Sequence, residues 1–242
     1  MRFFALFLLV TLFCSAVNTA GDDTLECSRF VIDAVILQLF EFLRQLIKLG
    51  SIINNITVLD PLVVKRQEID LEYTKFRINA EILNFTLAGL GNFELLGAKF
   101  NKDDVSLDLT LRFPSLTILS EHYEMSGNIF EILPLSGNGL LNIEAHDLKF
   151  WSKVYLKQSE DGRSILIDKF LDTHFEIDKI VSRTQYDGNI DDILNAMIGD
   201  LLPKYLSRFS RLIAAQYMER ITEFLNQYFN HFESWRFIAA IL

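Results

Sequence analysis

The sequence predicts an α+β fold in which one helix precedes a long antiparallel strand region and a longer helical region follows it. Apolar residues recur at helical spacing over residues 29–49 and 190–234, whereas residues 62–181 alternate as strands do. Short turn signals interrupt the alternating region, which favours an antiparallel meander over βαβ units. The 242 residues suffice for one large domain or two small ones.

The composition is unusually apolar for a chain that is not a membrane protein. Half of the residues are hydrophobic, 21 of them Phe, and the mean hydropathy is +0.22. The net charge of −9 comes without a basic block, which argues against nucleic acid binding through phosphates. The apolar surface must therefore lie in a membrane, in a core, or in a cavity that holds a ligand.

Residues 1–20 have the pattern of a secretory signal peptide. Arg2 precedes an uncharged apolar run from Phe3 to Val17, and Ala16 and Ala20 are plausible cleavage positions. The alternative is an N-terminal membrane anchor, but 15 residues are fewer than the roughly 20 needed to span a bilayer. We therefore expect a secreted, extracellular protein that does not span a membrane, with residues 21–242 forming one domain.

Secretion would bring the cysteines into an oxidising compartment and the sequons to the glycosylation machinery. Cys14 leaves with the signal peptide, so Cys27 has no intramolecular partner and is either a buried thiol or open to intermolecular pairing. Asn55 and Asn84 each begin an N-x-Thr sequon and are predicted glycosylation sites. Asn84 lies within a predicted strand, so its glycosylation requires an outward-facing side chain.

The first helix is predicted over residues 29–49. Its polar residues fall within one half-turn, and apolar residues such as Phe40 and Leu43 occupy most of the remaining circumference. So wide an apolar arc requires burial on more than one side. Gly50 is the predicted stop.

The strand region is clearest from Val105 to Phe113, where apolar and polar residues alternate without a break. Weaker alternation occurs at residues 69–73, 141–145 and 175–177. The predicted turns are Gly89 to Asn92, Pro114, Ser136 to Gly139, and Asp161-Gly162.

The C-terminal region predicts a helix of 45 residues, about 65 Å long at about 1.5 Å per residue. Pro203 is expected to kink or divide it, and Asp191 and Asp192 fall in its first turn, where carboxylates favour the helix dipole. A coiled coil is an alternative, but the stripe is rich in aromatic residues and the neighbouring sheet needs a cover. A filled interior would be a core and a partly filled one a tunnel, and the sequence does not distinguish them.

Motifs of enzymes are absent from the sequence. It contains no nucleophile elbow, P-loop or zinc-protease helix motif. Its histidines lie far apart and lack the spacing of metal ligands: His122, His146, His174 and His231. We expect no enzyme activity, no cofactor and no metal site.

Several strings, in this order, resemble the insect haemolymph juvenile hormone-binding and takeout-like family. The resemblance covers residues 27–181 well and the C-terminal helix more loosely, and it rests on the ordered set. The strings are Asp60-Pro61-Leu62, Gly89-Leu90-Gly91-Asn92-Phe93, Phe113-Pro114-Ser115-Leu116, Tyr123-Glu124-Met125-Ser126-Gly127 and Leu133-Pro134-Leu135-Ser136-Gly137-Asn138-Gly139.

The resemblance implies a long C-terminal helix wrapped by a highly curved antiparallel sheet, with a shorter N-terminal helix. It also implies an interior that holds one elongated lipophilic molecule, as in the tubular lipid-binding proteins. The chain departs from the family in two places: Cys27 lacks the usual second cysteine near the mature N-terminus, and residues 50–59 lack the usual prolines.

The function implied is that of a secreted carrier of a small lipophilic ligand, such as a juvenile hormone-like terpenoid, a fatty acid or another hydrophobic signal. The alternative is an interaction or lipid-surface-recognising defence module of the same fold, although net negative charge argues against anionic membranes. Hydroxyls that could orient a ligand belong to Tyr123, Tyr217 and Thr117. Apolar periodicity selects the lining candidates, which are Phe40, Leu43, Leu107, Leu109, Leu111, Ile118, Ile143, Phe175, Leu202, Ile213, Tyr217 and Phe224, with Tyr123 as a polar member.

Overall fold

The computed structural model describes residues 23–51, 56–73, 76–129, 133–186 and 191–239. The helices are α1 (Asp23–Leu49), α2 (Asp191–Arg208), α3 (Ser210–Phe229) and α4 (Trp235–Ala239). The strands are β1 (Leu62–Tyr73), β2 (Phe76–Ala88), β3 (Glu94–Asn101), β4 (Ser106–Ile129), β5 (Leu133–Gln158) and β6 (Ile165–Ser182). The predicted signal peptide and Asn55 lie outside the described residues.

The strands of the described chain form one antiparallel sheet in the order β1-β2-β4-β5-β6, with β3 also paired to β4. Strand β4 is long enough to pair with β3 along its first half and with β2 along its second half. Helices α2 and α3 pack on β6 at the edge of the sheet. The predicted α+β class, with a large antiparallel sheet covered by the C-terminal helices, is confirmed.

Helix α1 ends where the sequence predicts and begins earlier. It starts at Asp23, six residues before the predicted start, because polar residues fill the first turns and hide the apolar period there. Gly50 ends it with φ +64°, and the Gly50 N–H donates to the Leu46 carbonyl at 2.8 Å. A left-handed residue after the last turn is the common helix stop, and glycine adopts it without strain.

Two of the predicted turns are wrong. Pro114 lies inside β4, between the residues that pair with β3 and those that pair with β2. Proline is tolerated in a strand where its missing N–H faces no partner strand. Ser136 to Gly139 also lie inside a strand, β5, where the register shifts around Gly139 opposite Ser120 to Tyr123. The glycine there marks a bulge.

The other two predicted turns are confirmed. Gly89 has φ +99° and precedes a short 3-10 turn over Leu90–Asn92, while Gly162 lies at φ +76° between β5 and β6. An added Cβ at Gly89 would lie 2.2 Å from the Ser115 carbonyl oxygen. This close approach brings the β2–β3 connection against β4 at the point where β4 changes partners.

The C-terminal helical region is divided at Phe209 rather than at Pro203. Pro203 is buried within α2, whereas Phe209 has φ −100° and ψ 11° and separates α2 from α3. Hydrogen bonds of helical spacing continue through the break, from Phe209 N–H to Tyr205 O and from Ile213 N–H to Phe209 O. Asp191 and Asp192 lie in the first turn of α2, as predicted.

Contacts along β6 fix the direction of the two C-terminal helices. An added Cβ at Gly199 would lie 3.1 Å from the Ile180 carbonyl oxygen, and the Ser207 hydroxyl accepts the Ile177 N–H at 3.0 Å. Further along, the Asn226 side chain accepts the Ile167 N–H and donates to the Ile167 carbonyl, both at 2.8 Å. The helices therefore run antiparallel to β6.

Among the described helices, none has the length and apolar character required to cross a membrane.

Candidate functional site

One end of the sheet is closed by a packed core that we call the α1 cluster. Phe40 of α1 is 7% exposed and meets Phe93 edge-on, with ring centroids 6.2 Å apart. Arg44 ties the helix to the same residue, since its guanidinium donates to the Phe93 carbonyl at 3.0 Å and lies 4.8 Å from the ring centroid. The buried members are Ile36, Phe40, Phe93, Leu107, Leu109, Val154 and Ile167.

The other end is closed by a smaller core, the tyrosine cluster of Ile82, Tyr123 and Tyr186. The buried Tyr123 hydroxyl donates to the Gln185 carbonyl at 2.5 Å. Burial raises the pKa of Tyr186 above its usual range, so this phenol is neutral at physiological pH. Apolar residues of α2, Leu194 and Ile198, pack against the cluster.

Between the two clusters, the same sheet face carries apolar side chains that are only half-buried. We call this the middle span and define it by Ile118, Ile143, Leu148, Phe150, Phe175 and Ile177. These residues lie in β4, β5 and β6.

The strand register joins part of the middle span to each cluster. Directly paired residues share a face of the sheet. Phe150 pairs with Phe175 on one side and, on the other, with Leu111, which packs against the α1 cluster. Ile143 pairs with Ile118 and lies two residues from Leu141, which packs against the tyrosine cluster. The middle span thus continues both cores without belonging to either.

Ile143 and Leu148 are five residues apart, and Asp147, with φ +53°, breaks the alternation between them. The C-terminal helices pack against both clusters, through Leu194 and Ile198 at one end and Leu225 and Phe229 at the other, so both clusters lie on the side of the sheet that the helices cover.

Helices α2 and α3 pass along the middle span. Leu202 lies between the contacts at Gly199 and Ser207, and Ile213 and Tyr217 lie between those at Ser207 and Asn226. All three side chains are half-buried. The resulting arrangement has an apolar sheet face, helices beside it, and a packed core at each end.

Twelve of the thirteen lining candidates fall into four places. Phe40, Leu107 and Leu109 are buried within the α1 cluster, and Leu43 and Leu111 pack against it. Tyr123 belongs to the tyrosine cluster. Ile118, Ile143 and Phe175 lie in the middle span, with Leu202, Ile213 and Tyr217 on the helices beside it.

Phe224 lies apart from the other candidates. It is 42% exposed, and its ring packs against Tyr228 with centroids 4.9 Å apart. Its neighbour Leu225 packs against the α1 cluster instead. Successive residues are about 100° apart around a helix axis. Choosing Phe224 instead of its neighbour Leu225 therefore selected a side chain on a different face of α3.

The hydroxyls differ in what they can offer a ligand. Tyr217 is half-buried on α3, and the buried Tyr123 hydroxyl donates to the Gln185 carbonyl. Thr117 pairs with Glu144 and lies next to Ile118, so it is on the opposite face of the sheet. Thr117 is therefore not a polar group of the middle span.

Sequence reasoning missed Leu148 and Phe150 of the middle span and Phe93 of the α1 cluster. Leu148 to Trp151 form a mixed run without clean alternation in the sequence. In the structure Asp147, with φ +53°, interrupts the pleat just before this run. Phe93 was visible only as the last residue of a family string. Pairing opposite Leu111 and Phe113 would have identified Phe150 and Leu148, but register is not readable from one sequence.

The two family strings around Asp60 and Gly89 lie against each other in the structure. The Asp60 carboxylate accepts the Gly89 N–H at 2.8 Å and the Gly91 N–H at 2.7 Å. The two strings are therefore in contact although 29 residues separate their hydrogen-bonded positions. They build the connection at which β4 changes partners.

Two surface depressions lie away from the middle span. One of about 270 Å³ is formed between the end of α1 and Phe232, and one of about 910 Å³ lies between the β5–β6 turn and the end of α3. The larger is lined mainly by polar side chains, including Lys157, Glu160 and Asn226. An apolar ligand would leave those groups without hydrogen-bond partners, so the middle span is the better candidate.

The predicted glycosylation and metal features can be placed in part. Asn84 is exposed with φ +50°, and its amide donates to the Glu121 carboxylate at 2.7 Å. Its occupancy by a glycan stays a prediction, as does the state of Cys27. In the described part of the chain, no three His, Cys, Asp or Glu side chains group closely enough to hold a metal ion.

Comparisons with solved structures and family models give several matches for this chain. A solved structure of Epiphyas postvittana Takeout 1 is similar over 79% of this chain and 90% of its own, with 14% identity and a TM-score of 0.59. A lipopolysaccharide-binding protein structure matches 69% of this chain and 35% of its own, with 15% identity and a TM-score of 0.34. Curated protein sequences give no match. The family model described as haemolymph juvenile hormone binding protein matches residues 7–239, so the chain belongs to that family.

Proposed function

We propose that the protein is a secreted carrier that binds one small lipophilic molecule against the middle span. The observation that carries this proposal is a row of half-buried apolar side chains between two packed cores on one sheet face. Membership of a family named for juvenile hormone binding supports the ligand class. The terpenoid hormones, fatty acids and other hydrophobic signals are the candidate ligands.

The energetics suit such a ligand. Burial of apolar surface contributes roughly 25 cal/mol per Å², so a ligand that buries about 300 Å² gains roughly 7 kcal/mol before ordering costs. Tyr217 is the candidate for orienting a polar end, since its side chain is half-buried beside the span. Secretion follows from the predicted signal peptide and is part of the same proposal.

Small-to-large substitutions test whether the middle span has room for a ligand. Ile143→Phe should fill vacant space, leaving the unfolding free energy of ligand-free protein nearly unchanged while lowering affinity for a fluorescent lipophilic probe. The matched control Leu109→Phe overpacks the α1 cluster and should destabilise the fold by about 1–3 kcal/mol. Equal destabilisation by both variants would mean that the middle span is a filled core.

Ligand release tests the carrier function itself. Protein collected from an insect-cell medium is extracted with solvent, and the extract is examined by mass spectrometry for a stoichiometric lipophilic compound. A folded preparation that releases no compound and takes up neither probe nor lipid contradicts the proposal. That result would favour the alternative, an interaction or defence module with a filled interior.

A further inference from the structure

A row of side chains crosses β1, β2 and β4 on the side of the sheet away from the tyrosine cluster. Thr86 pairs with Val63 on one side and with Leu119 on the other, so these three residues share a face. Val63 is 60% exposed and Leu119 is 40% exposed. Phe85, the neighbour of Thr86, packs against the tyrosine cluster, which places the three on the opposite, solvent-facing side. We call Val63, Thr86 and Leu119 the outer row.

The exposed apolar surface extends from the outer row onto β5. Leu140 is 47% exposed, and its neighbour Leu141 packs against the tyrosine cluster, so Leu140 faces the other way. Leu119 pairs with Asn142, which lies two residues from Leu140. Such diagonal neighbours on adjacent strands are about 7–8 Å apart. Val63, Leu119 and Leu140 therefore expose apolar side chains near one another on the face away from the helices.

A glycosylation sequon lies in the same surface. Thr86 of the outer row is its third residue, and Asn84 lies two residues away, about 7 Å along the strand at about 3.3 Å per residue. Ile82 and Phe85 both face the tyrosine cluster, whereas Asn84 between them is exposed. The Asn84 amide donates to the carboxylate of Glu121, which is also exposed. The acceptor amide of the sequon therefore points into solvent beside the outer row.

We propose that an N-linked glycan on Asn84 covers the outer row. Such glycans are bulky and solubilising, and this one would be attached beside apolar side chains that the protein itself leaves exposed. The proposal rests on secretion, which is one part of the proposed function, and is independent of cargo binding. Its new element is the role of the glycan as the cover of a defined apolar surface.

The chemistry of attachment is compatible with the contacts of Asn84. The donor is an oligosaccharide linked to a lipid pyrophosphate. The Asn84 Nδ2 forms a bond to C1 of the first sugar, the bond from that sugar to the pyrophosphate breaks, and the lipid pyrophosphate leaves while one amide proton is lost. A side-chain amide carries two N–H groups, so the remaining one can still donate to Glu121.

The first test is occupancy of the site in the full chain secreted by insect cells. Glycopeptide mass spectrometry should find a glycan on Asn84, and Asn84→Gln and Thr86→Ala should each lose it. Thr86→Ser is the matched control, since it preserves the sequon and should keep the glycan. Secreted protein that is unmodified at Asn84 overturns this proposal alone. Retention of the chain inside the cells would overturn the predicted secretion as well.

The second test is whether the glycan covers the outer row. Hydroxyl-radical labelling is compared between the glycosylated protein and the same protein after enzymatic removal of the glycan under native conditions. Labelling of Val63, Leu119 and Leu140 should rise severalfold on removal, while labelling of Leu212, exposed on α3, should stay unchanged. Both samples fold with the glycan in place, so a folding defect does not enter. Equal labelling of the outer row in both samples overturns the proposal.

Light scattering on the same two samples distinguishes the glycan from a second copy of the chain as the cover. Removal of the glycan should increase self-association, and Leu119→Ser should reverse that increase. A dimer of the glycosylated protein that Leu119→Ser dissociates would show that another copy covers the outer row, and it would overturn the proposal.

Discussion

The α1 cluster and the middle span differ in packing although the same three strands build them. Phe40 from α1 lies over the cluster and meets Phe93, so Leu107 and Leu109 are buried. Ile143 of β5 and Phe175 of β6 lie in the middle span and stay half-buried. The comparison teaches that inward-facing apolar residues become fully buried where another element, here α1, packs its side chains over them.

The largest expected effect comes from truncating the residue that fills the cluster. Phe40→Ala should lower the free energy of unfolding by about 3–5 kcal/mol, because it leaves a cavity in a packed core. Ile143→Ala should cost only about 1–2 kcal/mol, because part of that side chain is already exposed. Urea denaturation measures both, and equal losses would remove the distinction between the two regions.

A loss of stability of intermediate size is expected at the β2–β3 connection, where the Asp60 carboxylate accepts two backbone N–H groups. Asp60→Ala removes the acceptor for the Gly89 and Gly91 N–H groups, which should cost about 2 kcal/mol because Gly91 is buried. Thermal unfolding measures the loss, with Asp103→Ala as the control at an exposed carboxylate. A stable Asp60→Ala variant would show that the connection does not depend on this carboxylate.

The smallest expected effect is a change in stability at acidic pH, and it comes from Asp104, next to the α1 cluster. The Lys153 ammonium, which donates to Asp104 at 2.7 Å, and the Ser106 hydroxyl lower the pKa of the Asp104 carboxyl. A lowered pKa in the folded state gives stability that is present above the ordinary carboxyl pKa and is lost as the pH falls through the folded value.

Asp104→Asn should therefore be slightly less stable than the parent at neutral pH, and the difference should vanish in acid. Melting temperatures across that pH range provide the measurement, with Asp108→Asn as the control on the exposed side of β4. A difference that persists at low pH would come from the altered hydrogen bond between Ser106 and residue 104, not from the charge of the Asp104 carboxylate.

Periodicity and turn residues predicted most of the helices and strands, because these patterns depend on residues close in sequence. The strand predicted over Val105 to Phe113 is confirmed from Ser106 onward, and the stop at Gly50 is confirmed. Pro114 and Ser136 to Gly139 were misassigned because a long strand absorbs them where β4 changes partners or bulges. Those events depend on the neighbouring strands, which a single sequence does not show.

By itself, the sequence determined the α+β class, the order of helix, strands and helices, and a set of inward-facing apolar residues. The tertiary structure decided which of those residues are buried in a core and which stay half-buried. It also decided that Phe224 lies outward and that Leu201, Tyr205 and Leu212 are exposed. The physical reason is that hydrophobicity is a property of each residue, whereas packing volume depends on elements brought together from distant parts of the chain.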